Sequence, residues 1–283
     1  MEHNYVISLC CPDRIGVVAS VSGFIAEHGG WIVESSQHSD PAGYFFMRTE
    51  IRASSLPFGT EEFRDRFSRI AEDFQMVWKI CDTAVRRKVV ILVSKYDHCL
   101  SDLLYRWRNQ DFSFDIPCVI SNHEDLRSMV EWHGIPYHHV PVTKDNKAAA
   151  FAEIERLFND AGGDVMVLAR FMQIIPPDLC ERLPGRIINI HHSFLPSFVG
   201  AKPYHQAFAR GVKLIGATCH YVTADLDAGP IIEQDVIRVD HSHDPSTMVR
   251  LGRDVEKNVL SRGLRYHVEE RILLQGSRTV ILS

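Results

Sequence analysis

The stretch Ile188-Asn189-Ile190-His191-His192-Ser193-Phe194-Leu195-Pro196 carries the pattern that decides the fold of this chain. Residues 186–190 are apolar and β-branched enough to predict a buried strand, which ends on an amide and an imidazole. Side chains two residues apart on a strand point to the same side. Asn189 and His191 are therefore predicted to face one reacting atom together. His192 is one residue further along, so it is either a packing residue or a member of the site.

A second segment, residues 220–232 (HYVTADLDAGPII), supplies a carboxylate. Asp227 lies in a predicted loop closed by Gly229-Pro230. Taken alone, Asp-x-Gly-Pro is typical of an ordinary turn. An amide donor, an imidazole and a carboxylate are, however, the groups that acyl transfer requires: an oxyanion stabiliser, a proton carrier and a base. The two segments together favour a catalytic site, with His220 in a supporting position.

The residues around these segments alternate between β-branched runs and helical patterns. The predicted strands are 89–93, 116–120, 140–142, 165–169, 186–190, 215–222 and 231–237. The predicted helices lie near 100–107, 126–133, 146–160 and 247–275, the last interrupted near Gly263, and a further short helix starts at Pro176. This order predicts an open, mostly parallel α/β sheet, which binds ligands beyond the carboxyl ends of its strands. Asn189 and His191 lie at such an end.

The first part of the chain has a different order. Strands are predicted at 4–10, 31–38, 44–51 and 76–81. One helix begins at Pro12 with an apolar stripe of Ile15, Val18, Val21 and Ile25, and a second is capped by Thr60. The resulting βαββαβ order predicts a ferredoxin-like layout. The predicted domains are therefore residues 1–84 and 85–283, joined by the polar stretch 82–88.

Composition excludes several classes of protein. A formal charge of −5 gives no general basic surface for nucleic acid. No apolar run reaches the roughly 20 residues of a membrane span, and the first residues lack the pattern of a signal peptide. Seven scattered cysteines, an odd number, predict reduced thiols. A cytoplasmic protein without nucleic-acid or membrane partners is expected.

Histidine is abundant enough to raise the question of a metal. His138-His139 and His241-Ser242-His243 are adjacent or alternate pairs. Neither has the helical i, i+4 spacing or the thiolate partner that is typical of zinc sites. The sequence therefore predicts no catalytic metal.

The paired pattern Asn-x-His-x-Ser-x-Leu-Pro and His-x-Val-(x)4-Asp-x-Gly-Pro-Ile-Ile resembles the signature of folate-dependent formyltransferases. This resemblance implies that Asn189, His191 and Asp227 carry the chemistry. Because an ordinary Asp pKa of about 3.9 gives a weak base at neutral pH, we expect burial or a nearby acidic group to raise the pKa of Asp227. Residues 168–176 resemble the family's pterin-contacting segment, which implies folate contacts at Met172, Gln173, Ile174 and Ile175.

The first domain resembles an ACT domain through residues 11–19 (CPDRIGVVA) and the step Gly29-Gly30-Trp31-Ile32-Val33. ACT domains accompany metabolic enzymes and often bind amino acids. The resemblance implies an amino-acid effector in this domain, and the sheet edges of its layout favour a homo-oligomer.

The acceptor of the formyl group decides the reaction. Glycinamide ribonucleotide formyltransferases hold a substrate phosphate in a glycine-rich loop after the first strand, whereas residues 94–102 here contain two aspartates and no glycine. The tRNA enzymes carry a further carboxyl-terminal domain, and no such domain is expected here. An ACT-like domain before the catalytic one, with residues 216–222 (GATCHYV), resembles the formyltetrahydrofolate deformylase family.

That resemblance implies hydrolysis of 10-formyltetrahydrofolate, with water as acceptor, to support one-carbon metabolism and purine biosynthesis; no permanently bound cofactor is implied. Two alternatives remain open. One is a transferase that uses an amine acceptor, and the other is a catalytically silent folate-binding sensor.

Overall fold

The computed structural model describes residues 3–111, 113–195 and 203–282. It divides into two compact units, Met1–Arg86 with Glu269–Ser283, and Arg87–Val268. The division near residue 86 lies close to the predicted domain boundary. The last segment, however, clusters with the first unit, whereas the sequence places it in the catalytic domain.

The first unit is built on a four-stranded antiparallel sheet. Its elements are β1 (Asn4–Pro12), α1 (Val17–Glu27), β2 (Ile32–Ser39), β3 (Tyr44–Arg52), a 3-10 turn (Ala53–Ser55), α2 (Thr60–Asp73) and β4 (Val77–Asp82). The strand order is β2-β3-β1-β4, and every pair is antiparallel. The predicted βαββαβ order is therefore present. One face of the sheet and the two helices bury a core that includes Ile7, Leu9, Phe63 and Phe67.

Two details of the first unit differ from the prediction. Helix α1 begins at Val17, because Gly16 adopts a left-handed conformation (φ 98°) that ends the preceding loop. Its buried stripe is Val17, Val21, Phe24 and Ile25, while Ile15 is fully exposed. Thr60 is the first residue of α2 rather than its cap, and no side chain caps that helix.

The last described residues form a hairpin, β13 (Ile272–Gln275) and β14 (Arg278–Ile281), in place of the predicted end of the long helix. Leu273 and Leu282 pack with Phe46 of β3. The buried guanidinium of Arg48 donates from Nη2 to the Glu269 carbonyl at 3.0 Å and from Nε to the Glu270 carbonyl at 3.2 Å. The hairpin thus belongs to the hydrogen-bonding and packing pattern of the first unit.

The second unit is an α/β sheet with helices around it. Its elements are β5 (Arg87–Val93), α3 (His98–Asn109), β6 (Phe114–Asp115), β7 (Val119–Ser121), α4 (Arg127–Trp132), β8 (Tyr137–His139), α5 (Lys147–Asp160), β9 (Val165–Leu168), α6 (Pro177–Arg182), β10 (Ile187–His191), α7 (Pro203–Arg210), β11 (Leu214–Tyr221), β12 (Ile231–Arg238) and α8 (Pro245–Val268). The strand order is β12-β11-β10-β9-β5-β7-β8, and β6 pairs with β5.

The pairs β10–β9, β9–β5, β5–β7 and β7–β8 are parallel, whereas the pairs β10–β11 and β11–β12 are antiparallel. The predicted open, mostly parallel sheet is confirmed. The predicted strand at 140–142 is wrong: the short strand is Tyr137–His139, and the chain leaves the sheet at Val140-Pro141. Strand β8 ends here because proline has no N–H to donate to the hydrogen bonds between strands.

Helix α8 is continuous through Gly263, where an interruption was predicted. A Cβ at this position would lie 2.5 Å from Cys219 Sγ. The glycine therefore permits close packing of the helix on β11. Within the described ranges, none of the helices combines the length and the apolar character that a membrane crossing requires.

Candidate active site

A cavity of about 600 Å³ opens beside the carboxyl end of β10. Its wall includes all three predicted catalytic residues, Asn189, His191 and Asp227, together with His192 and His220. Asn189 and His191 share a side of the strand, as the two-residue spacing predicts. The volume lies in the range of small-molecule and cofactor sites.

The three predicted catalytic side chains lie together with His220 in one polar cluster. His191 Nδ1 lies 3.3 Å from Asp227 Oδ2, and His220 Nε2 lies 3.7 Å from Asp227 Oδ1. Asn189 Nδ2 is 3.2 Å from His220 Nε2. The other imidazole nitrogen of His191, Nε2, is buried and has no hydrogen-bond partner among the described residues. His191 is therefore held from behind by a carboxylate, and its second nitrogen is available to a ligand.

Local backbone geometry places the carboxylate. Asp227 has a positive φ of 53°, a conformation that Asp tolerates better than most residues. Two residues later, a Cβ on Gly229 would lie 1.8 Å from the Tyr221 carbonyl oxygen. Only glycine allows the loop to pass this close to β11. The Asp-x-Gly-Pro turn therefore positions Asp227 at the end of the sheet.

The electrostatics of Asp227 correct one expectation. The hydrogen bond from His191 lowers the pKa of Asp227 below its ordinary value, and this effect outweighs the opposing effect of burial. The positive charge that His191 and His220 can carry acts in the same direction. The predicted upward shift is therefore wrong, because basic groups rather than acidic ones surround the carboxylate. Asp227 is ionised at neutral pH.

His192 and His220, the two other histidines of the site, are neutral at neutral pH. Burial lowers the pKa of His192 to about 4, and the charges of Arg170 and His191 add to this effect. Burial also lowers the pKa of His220. The ring of His192 lies 5.2 Å from that of His191. The strand ends at His191, so alternation no longer applies to His192, which joins the cavity wall.

The low pKa of His192 predicts a loss of stability in mild acid. Between pH 6.5 and about 4 the unfolded chain binds a proton that the folded chain excludes, so stability decreases as the pH falls. We expect this residue to reduce the free energy of unfolding by about 2 kcal/mol between pH 7 and pH 5. Urea unfolding of the wild type and of His192→Gln at both pH values measures this decrease in the free energy of unfolding. Equal pH dependence in the two proteins would contradict the assignment.

The predicted folate segment also lies on the cavity wall. Met172, Gln173, Ile174 and Ile175 all line it. Ile175 is buried, whereas Met172 and Ile174 are about half exposed. The Met172 N–H donates to Ser94 Oγ at 3.0 Å, and Ser94 donates to Asn122 Oδ1 at 2.7 Å. The segment is thereby attached to the end of β5.

Several cavity residues were not predicted as contacts, and four of them, His98, Arg170, Tyr204 and Glu256, form one polar group. Glu256 is buried; it accepts from Tyr204 at 2.7 Å and contacts His98 Nε2 at 2.7 Å. Burial raises its pKa, but hydrogen bonding to His98 and the charge of Arg170 outweigh burial and keep that pKa below its ordinary value. The four residues come from four separate elements, so no local pattern predicts the group.

Part of this group has a geometry that a metal ion could use. Ligand atoms of His98, Cys99 and Glu256 lie within 4.8 Å of one another. Burial raises the pKa of Cys99 well above its ordinary value, so the thiol keeps its proton. The Arg170 cation lies 3.4 Å from Glu256. A protonated thiol and an adjacent cation both oppose metal binding. Of the histidine pairs, His139 and His243 contact Glu124 and Asp240.

Comparison with known proteins supports the same interpretation of the second unit. The formyl transferase family model matches residues 87–264. A formyltetrahydrofolate deformylase from Corynebacterium sp. (strain P-1) is 47% identical over 280 residues, which cover 99% of this chain and 98% of that protein. The crystal structure of a formyltetrahydrofolate deformylase from Pseudomonas syringae pv. tomato str. DC3000 is 59% identical, with a TM-score of 0.98 over 100% of this chain and 95% of that one.

A more distant structure matches a smaller share of the chain. Glycinamide ribonucleotide transformylase 1 from Symbiobacterium toebii is 27% identical, with a TM-score of 0.66, over 70% of this chain and 95% of its own. The deformylases therefore share the whole chain, whereas the transformylase shares a part. On the length and level of these matches, the chain belongs to the formyltetrahydrofolate deformylase family of hydrolases.

Proposed function

We propose that this protein hydrolyses 10-formyltetrahydrofolate to formate and tetrahydrofolate, with Asp227 as base and Asn189 and His191 as oxyanion stabilisers. One observation carries the proposal. His191 Nδ1 lies 3.3 Å from an ionised Asp227, while Nε2 has no partner among the described residues and borders the cavity. The names of the full-length relatives supply the substrate.

The first step forms a bond between water and the formyl carbon. Asp227 accepts a proton from the attacking water, and the formyl oxygen gains the negative charge of the tetrahedral intermediate. Asn189 Nδ2 and His191 Nε2 donate hydrogen bonds to that oxygen. A carboxylate with a low pKa has a small driving force as a base, so stabilisation of the oxyanion must supply much of the rate enhancement.

The second step breaks the bond between the formyl carbon and the folate nitrogen. The oxyanion reforms a carbonyl, and the leaving nitrogen takes the proton that Asp227 received from water. The remaining acid proton of formic acid passes to solvent, which leaves formate. One water is consumed, and no oxidant or reductant is required. Met172, Gln173, Ile174 and Ile175 are the proposed contacts of the pterin ring, through backbone groups and apolar side chains.

A single assay separates this reaction from formyl transfer to an amine. We expect the protein to release formate and tetrahydrofolate in equal amounts from 10-formyltetrahydrofolate alone. A blank without protein corrects for spontaneous hydrolysis, and EDTA is expected to leave the rate unchanged. Formate release that requires an added amine would favour a transferase. A protein that binds the folate without any turnover would favour the sensor.

For the first unit, an ACT-like regulatory role is proposed in a cytoplasmic homo-oligomer. Strands β2 and β4 are edge strands, and edges favour pairing with another copy. The start of α1, after Cys11, offers backbone N–H groups to a carboxylate. Glycine and methionine are the proposed effectors because both report one-carbon status. Light scattering and rate measurements with each amino acid test this role; a monomer that responds to neither would contradict it.

A further inference from the structure

A buried group of charged side chains forms one wall of the active-site cavity, apart from the residues to which hydrolysis is assigned. Arg170 and His98 each have only about a tenth of their side chains exposed, and Glu256 has about a hundredth. The Glu256 carboxylate is well satisfied, since His98 and Tyr204 both lie 2.7 Å from it. The Arg170 guanidinium, in contrast, has donors without hydrogen-bond partners among the described residues.

Arg170 retains hydrogen-bonding capacity inside the protein. Its Nε lies 3.4 Å from Glu256 Oε2, close enough for an ion pair but not aligned as a hydrogen bond. Among the described residues, Nε and Nη1 have no hydrogen-bond partner, and neither has His98 Nδ1. Buried donors without partners are costly, and this cost is higher for charged groups. Such donors in a cavity wall point to a ligand with acceptor oxygens.

The backbone at Arg170 supports the same interpretation. Its φ is 65°, in the left-handed region that long side chains rarely adopt. Strained residues of this kind cluster at ligand sites, where the surrounding structure maintains them. This conformation lies just after β9, two residues before Met172, the first of the predicted folate contacts. The arginine is therefore held in an unfavourable conformation beside the reaction site.

The surroundings of Arg170 favour a negative ligand. Its guanidinium lies 5.3 Å from the centre of the Tyr96 ring, and that of Arg253 lies 5.8 Å from the same ring. Both arginines border the cavity together with His98 and His192. Guanidinium groups bind carboxylates strongly through charge-assisted hydrogen bonds.

We propose that Arg170, assisted by His98, forms a binding site for a small carboxylate, and that its occupant is the formate released by hydrolysis. The identity of the occupant rests on the proposed function. Formate arises in the same cavity and is the smallest carboxylate, so it suits donors that are nine-tenths buried. The carboxylates of the folate glutamate share this chemistry, and the experiment separates the two sources.

The test is direct binding of sodium [¹³C]formate to the full chain, followed by NMR line broadening without folate and with sodium chloride at equal ionic strength as the blank. Arg170→Lys keeps the charge but loses the fork of donors, and it should weaken formate binding about 10-fold or more. Arg250→Gln is the matched control, because it removes an exposed guanidinium from α8 that does not line the cavity; its formate affinity should stay within about 2-fold of the wild type. Equal formate affinity in the wild type and Arg170→Lys would overturn the proposal.

A second variant distinguishes a loss of formate binding from a folding defect. Arg170→Met with Glu256→Gln removes both charges of the buried pair, so no carboxylate is left without its cation. This double variant should melt near the wild-type temperature and show no saturable formate binding. Retention of wild-type formate affinity in it would exclude Arg170 as the site.

The source of the carboxylate is tested with tetrahydrofolate and with tetrahydropteroate, which lacks the glutamate. If Arg170→Lys weakens only the binding of tetrahydrofolate, the site belongs to the glutamate and the formate assignment is wrong. Because binding is measured without turnover, the two proposals fail separately. A protein that binds formate at Arg170 but hydrolyses nothing contradicts the proposed reaction, whereas one that hydrolyses the folate without binding formate contradicts the site.

Discussion

Replacement of Asp227 by asparagine is expected to lower kcat by about 100-fold or more and to leave folate affinity within a few fold. The amide keeps the shape of the side chain but cannot accept the proton of the attacking water. The side chain lies in a group with His191 and His220 rather than in the predicted folate segment. Its loss should therefore affect the transition state more than ground-state binding.

Asp225→Asn is the matched control for this variant. Asp225 lies in the same loop, is exposed, and contributes a backbone carbonyl to Thr223 Oγ1. Its change removes one negative charge two residues away without touching the histidines. We expect near wild-type turnover from it. More than about a tenth of wild-type kcat in Asp227→Asn, measured from formate release, would show that another group is the base.

The second large effect concerns the oxyanion. Asn189→Ala and His191→Ala should each reduce kcat by about 100–1000-fold, because each removes one donor to the same developing charge. The double variant should lose much less than the product of the two single losses, since groups that act on one atom are not independent. The cycle is measured with 10-formyltetrahydrofolate at saturation. A double loss equal to the full product would indicate two separate functions.

Much of the reaction site follows from short-range sequence patterns. Asn189 and His191 are two residues apart on a strand, so alternation alone predicts that they share a side. The Gly229-Pro230 turn identifies the loop of Asp227. The direction of the Asp227 pKa could not be predicted in this way. It depends on His191 and His220, which reach the carboxylate only after β10 and β11 have paired.

Long-range placement also accounts for what the sequence did not reveal. Glu256 and His98 are in contact although they lie 158 positions apart, and neither has a distinctive local pattern. The end of α8 presented a similar problem. Residues 269–275 continue a plausible helical pattern. However, Arg48 donates hydrogen bonds to the carbonyls of Glu269 and Glu270, and Phe46 offers the hairpin an apolar surface. Tertiary contacts therefore override the local preference.

The return of residues 269–282 to the first unit has a consequence for biosynthesis. The chain is made from its amino terminus, and domains usually fold as they emerge. Here the partners of the Arg48 guanidinium and the Phe46 ring lie in residues 269–282. They are synthesised only after more than two hundred further residues have been translated. Until then the emerging amino-terminal sheet exposes an apolar face and a cation without its carbonyl acceptors. Ribosomes that stop before codon 269 would therefore release a protein whose first unit is unfinished, which makes such fragments natural targets for chaperones and proteases.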